Sequence, residues 1–504
     1  MNRGHRLTKF FSMPAALLLA GTCFAQGEGQ HAAELSKVER LNRAPVSKEA
    51  LQIHLPKPVV TKLPNGLTVL VLEQHKLPTV NFRMWIGAGE MVDPKDAPGL
   101  AGFTAEMLRE GTSHRTSAQL AADIDNIGAT LDAFAGNNFS SFGTTKTSVL
   151  ASGLAASAGQ ILDLMSDMVL NPAFSNEELE KYKQRQLAGL EQERAQPGSL
   201  AQEKFREALY GNFPASVTLP TAESIKATTP QRLKEFHDHY YVPGNALLGV
   251  IGDVNQDEIM GLIRKSFGDW KGQPVAKPDW SHLPPPSASK VYLVDRPDSV
   301  QTNLVAGAYG ARRVDHDFIP LYVMNRVLGD GPQARLFLNL REAHGYTYGA
   351  YSRVGDDEYR EPWEANTEVR NAVTDGSMEQ LMAEFKRIRD EKVPDAELDE
   401  ARHSIVANFA LSLEQPAQLL TRMMQVQDYG LPADYWDQFP VKVAHTSADD
   451  VQAAARKYVD LAHLQIVAVG DAKQPGNDQK QSIRDVLAKY GTLEVYDSNG
   501  KKEE

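Results

Sequence analysis

Histidine and cysteine are the side chains from which a zinc centre is usually built, and this chain carries 13 of the first and one of the second. Their spacing makes no site. His237 and His239 stand two apart in the stretch FHDHYY, while His403 and His463 stand alone in other segments. No histidine pair has the H-x-x-x-H spacing that sets two imidazoles on one face of a helix with a third ligand available. The expected role of His237 and His239 is therefore structural or at the surface. Cys23 has no second cysteine with which to form a disulfide or a thiolate site.

Cys23 also sits in a segment of different character from the rest. Arg3, Arg6 and Lys9 form a positive start, Met13 to Ala20 (MPAALLLA) an apolar run, and Cys23-Phe24-Ala25 a small-x-small sequence before Gln26. That order of charge, apolar run and small residues reads as a secretory signal peptide over 1–25. The expected destination is the periplasm or the exterior, and cleavage there leaves a mature chain without cysteine. Lipid attachment at Cys23 fits less well, because Thr22 precedes it. The apolar run is too short to span a bilayer, and no later run is long enough to do so.

With 504 residues the chain exceeds one ordinary domain of roughly 100–200 residues. Its 42% hydrophobic and 23% charged residues suit two soluble cores. A net charge of −12 argues against a nucleic-acid partner, which rewards a basic surface.

Patterning divides the chain further. Residues 26–57 are polar and without period, and read as a flexible lead-in. Residues 58–271 form a first domain. It opens on a hairpin about Asn65-Gly66, with strands over 67–73 and 79–86. Helices are expected at 98–109, at 117–127 with Ser117 as its cap, and at 151–169, 175–194, 199–210 and 229–241. Two strands are expected within 129–149 and another over 246–251. A proline-rich linker follows at 272–290. A second domain is expected over 291–475, then a segment 476–504 whose charged tail from Asp497 is expected to be disordered.

The second domain repeats the first. Leu190-Glu191-Gln192 returns as Leu413-Glu414-Gln415, Glu178-Leu179 as Glu397-Leu398, Tyr240 as Tyr458, and Gly252-Asp253 as Gly470-Asp471, at a nearly constant offset of about 220 residues. Several matches in one order argue for duplication. Hairpins mixed with helices, without regular β-α-β alternation, give an α+β class.

Gly99-Leu100-Ala101, Phe103, Met107-Leu108 and Gly111-Thr112 resemble the signature helix of the pitrilysin/insulinase family, G-L-A-H-F-x-E-H-M-L-x-x-G-T. The upstream Gly87-Ala88-Gly89-Glu90 and Asp93, and the later Tyr240-Tyr241-x-Pro243-x-Asn245 leading to Gly252-Asp253, are similar to that family as well. The resemblance covers about 58 to 475. It implies a fold like that of the mitochondrial processing peptidase: two homologous domains, each a mixed, mainly antiparallel sheet packed with helices.

The departure from the family lies in its metal site. The family's H-x-x-E-H places two histidines on one zinc ion and a glutamate as general base. Here those positions hold Gly102, Ala105 and Glu106. The third ligand position, eight residues before Pro197, holds Gly189. Glycine and alanine offer no ligand atoms, and one glutamate cannot hold a catalytic zinc that needs about three protein ligands. No metal or other cofactor is therefore expected in this chain, and Glu106 reads as a hydrogen-bonded or solvated remnant.

The second domain keeps the other half of the family's apparatus. The stretch from Gln333 to Glu342, then Gly345-Tyr346-Thr347-Tyr348 and Ala350-Tyr351-Ser352, is similar to the family's S-R-L-F-x-x-L-R-E-x-x-G-L-A-Y-x-x-Y-S, and Leu328-Gly329-Asp330-Gly331 to its glycine loop. By position, the family's substrate-contacting Arg and Tyr are Arg341 and Tyr348. A phenol O–H aimed at the scissile carbonyl stabilises the negative charge that hydrolysis builds there. A guanidinium is a planar fork that fixes a peptide backbone or carboxylate. The resemblance thus implies a non-zinc subunit of a heterodimeric peptidase acting on peptides or unfolded segments. An H-x-x-E-H homologue would be its partner and carry the zinc. The competing expectation is a scaffold or peptide-binding protein of the same descent.

Overall fold

A computed structural model describes residues 51–135, 143–283, 286 and 288–503. The expected signal peptide and the lead-in up to residue 50 lie outside the described residues.

The first half builds β1 (Val59–Lys62), β2 (Thr68–Glu73), β3 (Thr79–Ile86), β4 (Thr130–Ala135), β5 (Thr147–Leu154) and β6 (Ala246–Gly252). The second builds β7 (Lys290–Asp295), β8 (Gln301–Tyr309), β9 (Thr347–Val354), β10 (Pro362–Arg370), β11 (Gln465–Gly470) and β12 (Thr492–Asp497). The sheet orders are β1-β2-β6-β3-β5-β4 and β12-β7-β11-β8-β10-β9. The first sheet has one parallel pair, β2 with β6, and the second has two, β7 with β11 and with β12; the other neighbours are antiparallel, so the two sheets differ at the edge strands β1 and β12. The duplication read from sequence is therefore a duplication of topology, with Gly252 and Gly470 closing equivalent central strands.

The helices of the first half are α1 (Leu100–Met107), α2 (Ser117–Asn126), α3 (Ala158–Leu170), α4 (Asn176–Ala195), α5 (Pro197–Tyr210), α6 (Ala222–Ala227), α7 (Pro230–Tyr240) and α8 (Gln256–Phe267). In the second half come α9 (Phe318–Leu328), a short α10 (Arg335–Phe337) that continues as a π-helical turn over Leu338–Ala343, α11 (Thr374–Asp390), α12 (Asp395–Ser412), α13 (Pro416–Asp428), α14 (Tyr435–His445), α15 (Ala448–Tyr458) and α16 (Ile483–Leu487).

The two halves exchange helices. Pro197 breaks α4 and starts α5, whose Leu200, Ala201, Phe205 and Leu209 are buried in one cluster with Tyr292, Val305 and Val467 of the second sheet. Pro416 does the same for α13, whose Leu419, Leu420, Met423 and Met424 join a cluster with Leu70, Trp85 and Leu247 of the first sheet. Each sheet is thus covered on both faces, and its central strands read as near-continuous apolar runs, ALLGVIG in β6 and QIVAVG in β11, with every residue buried. Gly249 admits the visiting helix. A Cβ there would lie 2.7 Å from the Met424 sulfur and 2.9 Å from Leu420.

Some expectations are corrected. The helix expected from 151 starts later, because residues 151–154 continue β5 in register with Phe82 to Thr79 of β3. Thr116, not Ser117, caps α2, in a reciprocal box with Gln119. The second sheet does not end by 475: β12 adds an edge strand parallel to β7, and Tyr496, just before the expected tail, donates to Glu494 at 2.7 Å. The end of the lead-in is anchored, with the Leu55 N–H and Lys57 both bonded to Asp437 of α14. The linker packs onto the body through Trp280, edge-on to Phe213 at 5.8 Å between ring centres.

Candidate functional site

α1 is positioned from its first residue. Gly99 takes the left-handed φ of 90° that turns the chain into the helix, and the Asp93 carboxylate accepts from the N–H groups of Gly99 (2.7 Å) and Ala101 (2.8 Å). Burial outweighs those bonds and pushes the Asp93 carboxyl up to about 7. Gly89 lets two backbones touch, since a Cβ there would lie 2.1 Å from the Thr144 carbonyl oxygen. Asn245 explains the Tyr-Tyr-x-Pro-x-Asn pattern. Its amide donates to the carbonyls of Gly87 (3.1 Å) and Tyr240 (2.9 Å), fastening the end of α7 to the end of β3.

Leu100, Ala101, Phe103, Thr104, Ala105 and Met107 are buried, so α1 turns Gly102 and Glu106 toward its half-open side. A Cβ added at Gly102 or at Gly189 would meet nothing within 4 Å. Ala105 is fully buried. Tyr182 of α4 packs edge-on to Phe103 at 4.9 Å and holds α4 against α1.

What surrounds Glu106 is a set of ion pairs. Arg185 donates to Glu110 at 3.0 Å and lies over the Tyr182 ring, while Arg109 pairs with Asp132 of β4 at 2.8 Å. Burial raises the Glu106 carboxyl above its ordinary value; Arg109 opposes that rise and Asp132 adds to it. Glu106, Arg109, Glu110 and Arg185 share a cleft of about 450 Å³. The four positions that matter for a family metal thus offer one carboxylate, two open glycine faces and a buried methyl group. No cluster of His, Cys, Asp or Glu suited to a metal occurs among the described residues. Two guanidiniums beside Glu106 further disfavour a divalent cation, so this donor set does not fit zinc. His237 is structural, as expected: its Nε2 bonds the Val169 carbonyl at 2.9 Å and its ring stacks on Tyr241. Burial lowers its affinity for a proton.

The second half brings its two candidates together. The chain enters through Gly329, where a Cβ would strike the Ser352 nitrogen at 2.5 Å, and Gly331, with φ of 129°. Arg335, buried, pairs with Glu397 of α12 at 2.7 Å and anchors α10. The following π turn carries Arg341, and such turns occur often at functional sites. Arg341 lies over the Phe337 ring at 4.9 Å and donates from Nη1 to the Tyr348 carbonyl oxygen at 2.7 Å. It thereby fastens the start of β9, an edge strand of the second sheet. The Tyr348 side chain remains 87% exposed. It lines a cleft of about 520 Å³ between the second sheet and the start of α5, together with Tyr351, Gln202, Asn303 and Glu368. Glu106 lines a different cleft.

Tyr351 stood inside the matched motif without an assigned role. Gln202 and Asn303 carried no sequence signal of their own; the helix exchange delivers Gln202 to the second sheet, where it also donates to the fully buried Glu364 at 2.9 Å.

Two family models match the chain: one described as insulinase (peptidase family M16) over residues 68–222, and one described as peptidase M16 inactive domain over residues 227–405. Among curated proteins, it is 24% identical over 366 residues to an uncharacterized zinc protease of Bacillus subtilis, covering 71% of this chain and 85% of that one. It is 29% identical over 297 residues to an uncharacterized zinc protease of Mycobacterium leprae, covering 58% and 65%. Among solved structures, it shares its fold with a peptidase M16 inactive domain from Pseudomonas fluorescens (TM-score 0.75, 24% identity, 82% of this chain and 98% of that one). The same fold is found in a protease from Helicobacter pylori (TM-score 0.76, 17% identity, 82% and 100%).

Proposed function

This chain belongs to the insulinase family of peptidases, M16, and we propose that it is the non-zinc subunit of a heterodimeric member acting on peptides or unfolded segments. One observation carries the reading. The metal-ligand positions Gly102, Ala105, Glu106 and Gly189 offer a single carboxylate hemmed by arginines, while Arg341 is bonded to the main chain of Tyr348, whose side chain lines a cleft. An H-x-x-E-H homologue brings the metal and the base that activates water. This chain brings the opposite wall.

Its own residues do two things there. An extended peptide lies along β9, an edge strand of the second sheet, in the manner of an added strand, between the Tyr348 carbonyl held by Arg341 and the Ser352 N–H bonded to the Gly329 carbonyl. The exposed Tyr348 hydroxyl then donates to the scissile carbonyl oxygen as that oxygen gains charge, an interaction stronger in the transition state than in the ground state. Arg341 acts through the backbone, holding the strand so that the phenol does not have to be ordered at the moment of reaction. With the leader read at 1–25, the assembly works in the periplasm or outside the cell. The test is cleavage of an unfolded peptide by this chain with and without the zinc-bearing homologue.

A further inference from the structure

β9 does not keep the simple alternation of a strand. Ala350 and Val354 lie on the face that packs into the core of the second half, with Ala365 and Trp363 of β10, while Tyr351 lies on the other face, at the cleft. By the two-residue period, Tyr348 would share the core face with Ala350. The register breaks before it gets there. Ala350 pairs with Thr367 and Thr347 with Val369, so Tyr348 and Gly349 together stand opposite the single residue Glu368. That is a β-bulge, a device that re-aims a side chain. The extra residue moves Tyr348 by one position and brings it to the side of Tyr351 and Glu368, in the cleft.

Two hydroxyls hold the bulge. Thr347 Oγ1 accepts from the Gly349 N–H at 3.0 Å, and its own hydrogen reaches the carbonyl oxygens of Glu368 (2.7 Å) and Gly349 (2.9 Å), one at a time. Thr367 donates to the same Gly349 carbonyl at 2.9 Å. The second bulge residue has to be glycine, because a Cβ there would lie 2.5 Å from the Tyr351 ring. A bulge disrupts the ladder locally, and the Thr347 side chain supplies the backbone with partners in its place.

We infer that Thr347 is a positioning residue for Tyr348: its hydroxyl fixes the bulge that turns the phenol away from the core face and into the cleft. Arg341, bonded to the Tyr348 carbonyl, sets where the strand lies, and Thr347 sets the face on which the ring emerges. The effect on turnover rests on the peptidase reading; the direction of the ring does not.

Thr347→Val removes the hydroxyl at nearly constant shape, and Thr347→Ser keeps it. In the full chain alone, meta-fluorotyrosine replaces Tyr348, and its fluorine resonance is followed with and without a soluble paramagnetic agent. The parent and Thr347→Ser are expected to give a strongly broadened, exposed signal, and Thr347→Val a displaced signal with weaker broadening. With the zinc-bearing homologue, Thr347→Val is expected to lower kcat by about tenfold or more with KM little changed. In a Tyr348→Phe background it is expected to have no further effect, because the two residues act as one unit. Thr347→Ala takes its place if Thr347→Val fails to fold. A fluorine signal unchanged by Thr347→Val, a Thr347→Ser chain that behaves like Thr347→Val, or a full loss of turnover in the Tyr348→Phe background overturns the proposal. Absence of cleavage by the parental pair overturns the peptidase reading instead, and the fluorine comparison then decides alone.

Discussion

Arg341 donates from Nη1 to the main-chain carbonyl of Tyr348 at 2.7 Å, and so grips the strand at the residue whose phenol is 87% exposed. The guanidinium is spent on backbone rather than on the phenol oxygen. That leaves the Tyr348 hydroxyl free to serve as a donor toward a bound peptide.

Tyr348→Phe removes only that hydroxyl. In the assembled enzyme it is expected to lower kcat by a factor of about 10²–10³, the usual loss for one donor to a developing oxyanion. Stability should change by less than about 0.5 kcal/mol, because an exposed ring makes few contacts. Steady-state rates with urea unfolding check both. Unchanged turnover removes Tyr348 from the chemistry.

Gly102 and Gly189 lie inside helices, and an added methyl group meets nothing within 4 Å at either. Gly102→Ala and Gly189→Ala are each expected to stabilise the chain by about 0.5–1 kcal/mol, by narrowing the unfolded ensemble and favouring helix. A loss of stability in urea titrations would mean that these faces are packed against something after all.

Lys146 lies between the halves, paired with Glu358 at 3.0 Å and Asp428 at 2.8 Å. Burial works against its charge, but the carboxylates of Asp428, Asp357 and Glu358 outweigh it and hold its pKa above the ordinary range. Lys146→Met leaves those carboxylates buried without their cation. The expected cost is about 3–5 kcal/mol, the usual penalty for removing one partner of a buried charge cluster. A chain as stable as the parent in urea would show that water reaches the cluster.

How much of this was legible in the sequence depends on whether a residue's partner was local. Gly99 and Asp93 announce the start of α1 because a turn and a cap act over a few residues, and the offset repeat announced the duplicated topology. The capping box at Thr116 was written in Gln119 three residues on, but Ser117 is an equally good cap by type and drew the assignment. The helix exchange was not readable. The buried stripes of α5 and α13 require a sheet to cover them without specifying which one, and only Gly249, small opposite Met424, hints at the visitor. Gln202 therefore reached its cleft unannounced. In the same way β12 went unread in the segment 476–504 ahead of the charged tail, because a short edge strand there has no local partner.

Glu90 and Asp93 give a pH dependence. Burial raises both carboxyls to about 7; for Glu90 the N–H groups of Thr144 and Gly143 and the charge of Arg206 oppose the shift without cancelling it. Their folded pKa values lie above the unfolded ones, so the native state holds more protons. Their contribution is complete below the unfolded values near 4 and is lost as pH rises toward about 7. Glu90→Gln is expected to flatten the fall in stability between about pH 4.5 and 7. Thermal midpoints measured across that range at constant ionic strength check it; an unaltered slope would place the titration elsewhere.

The most direct measurement is cleavage of an unfolded peptide by the purified chain, alone and after co-purification with an H-x-x-E-H homologue, with bound zinc counted in each preparation. The account predicts no bound zinc and no cleavage for the chain alone, and chelator-sensitive cleavage for the pair. About one tightly bound zinc per isolated chain, with robust cleavage that a chelator abolishes, would contradict it.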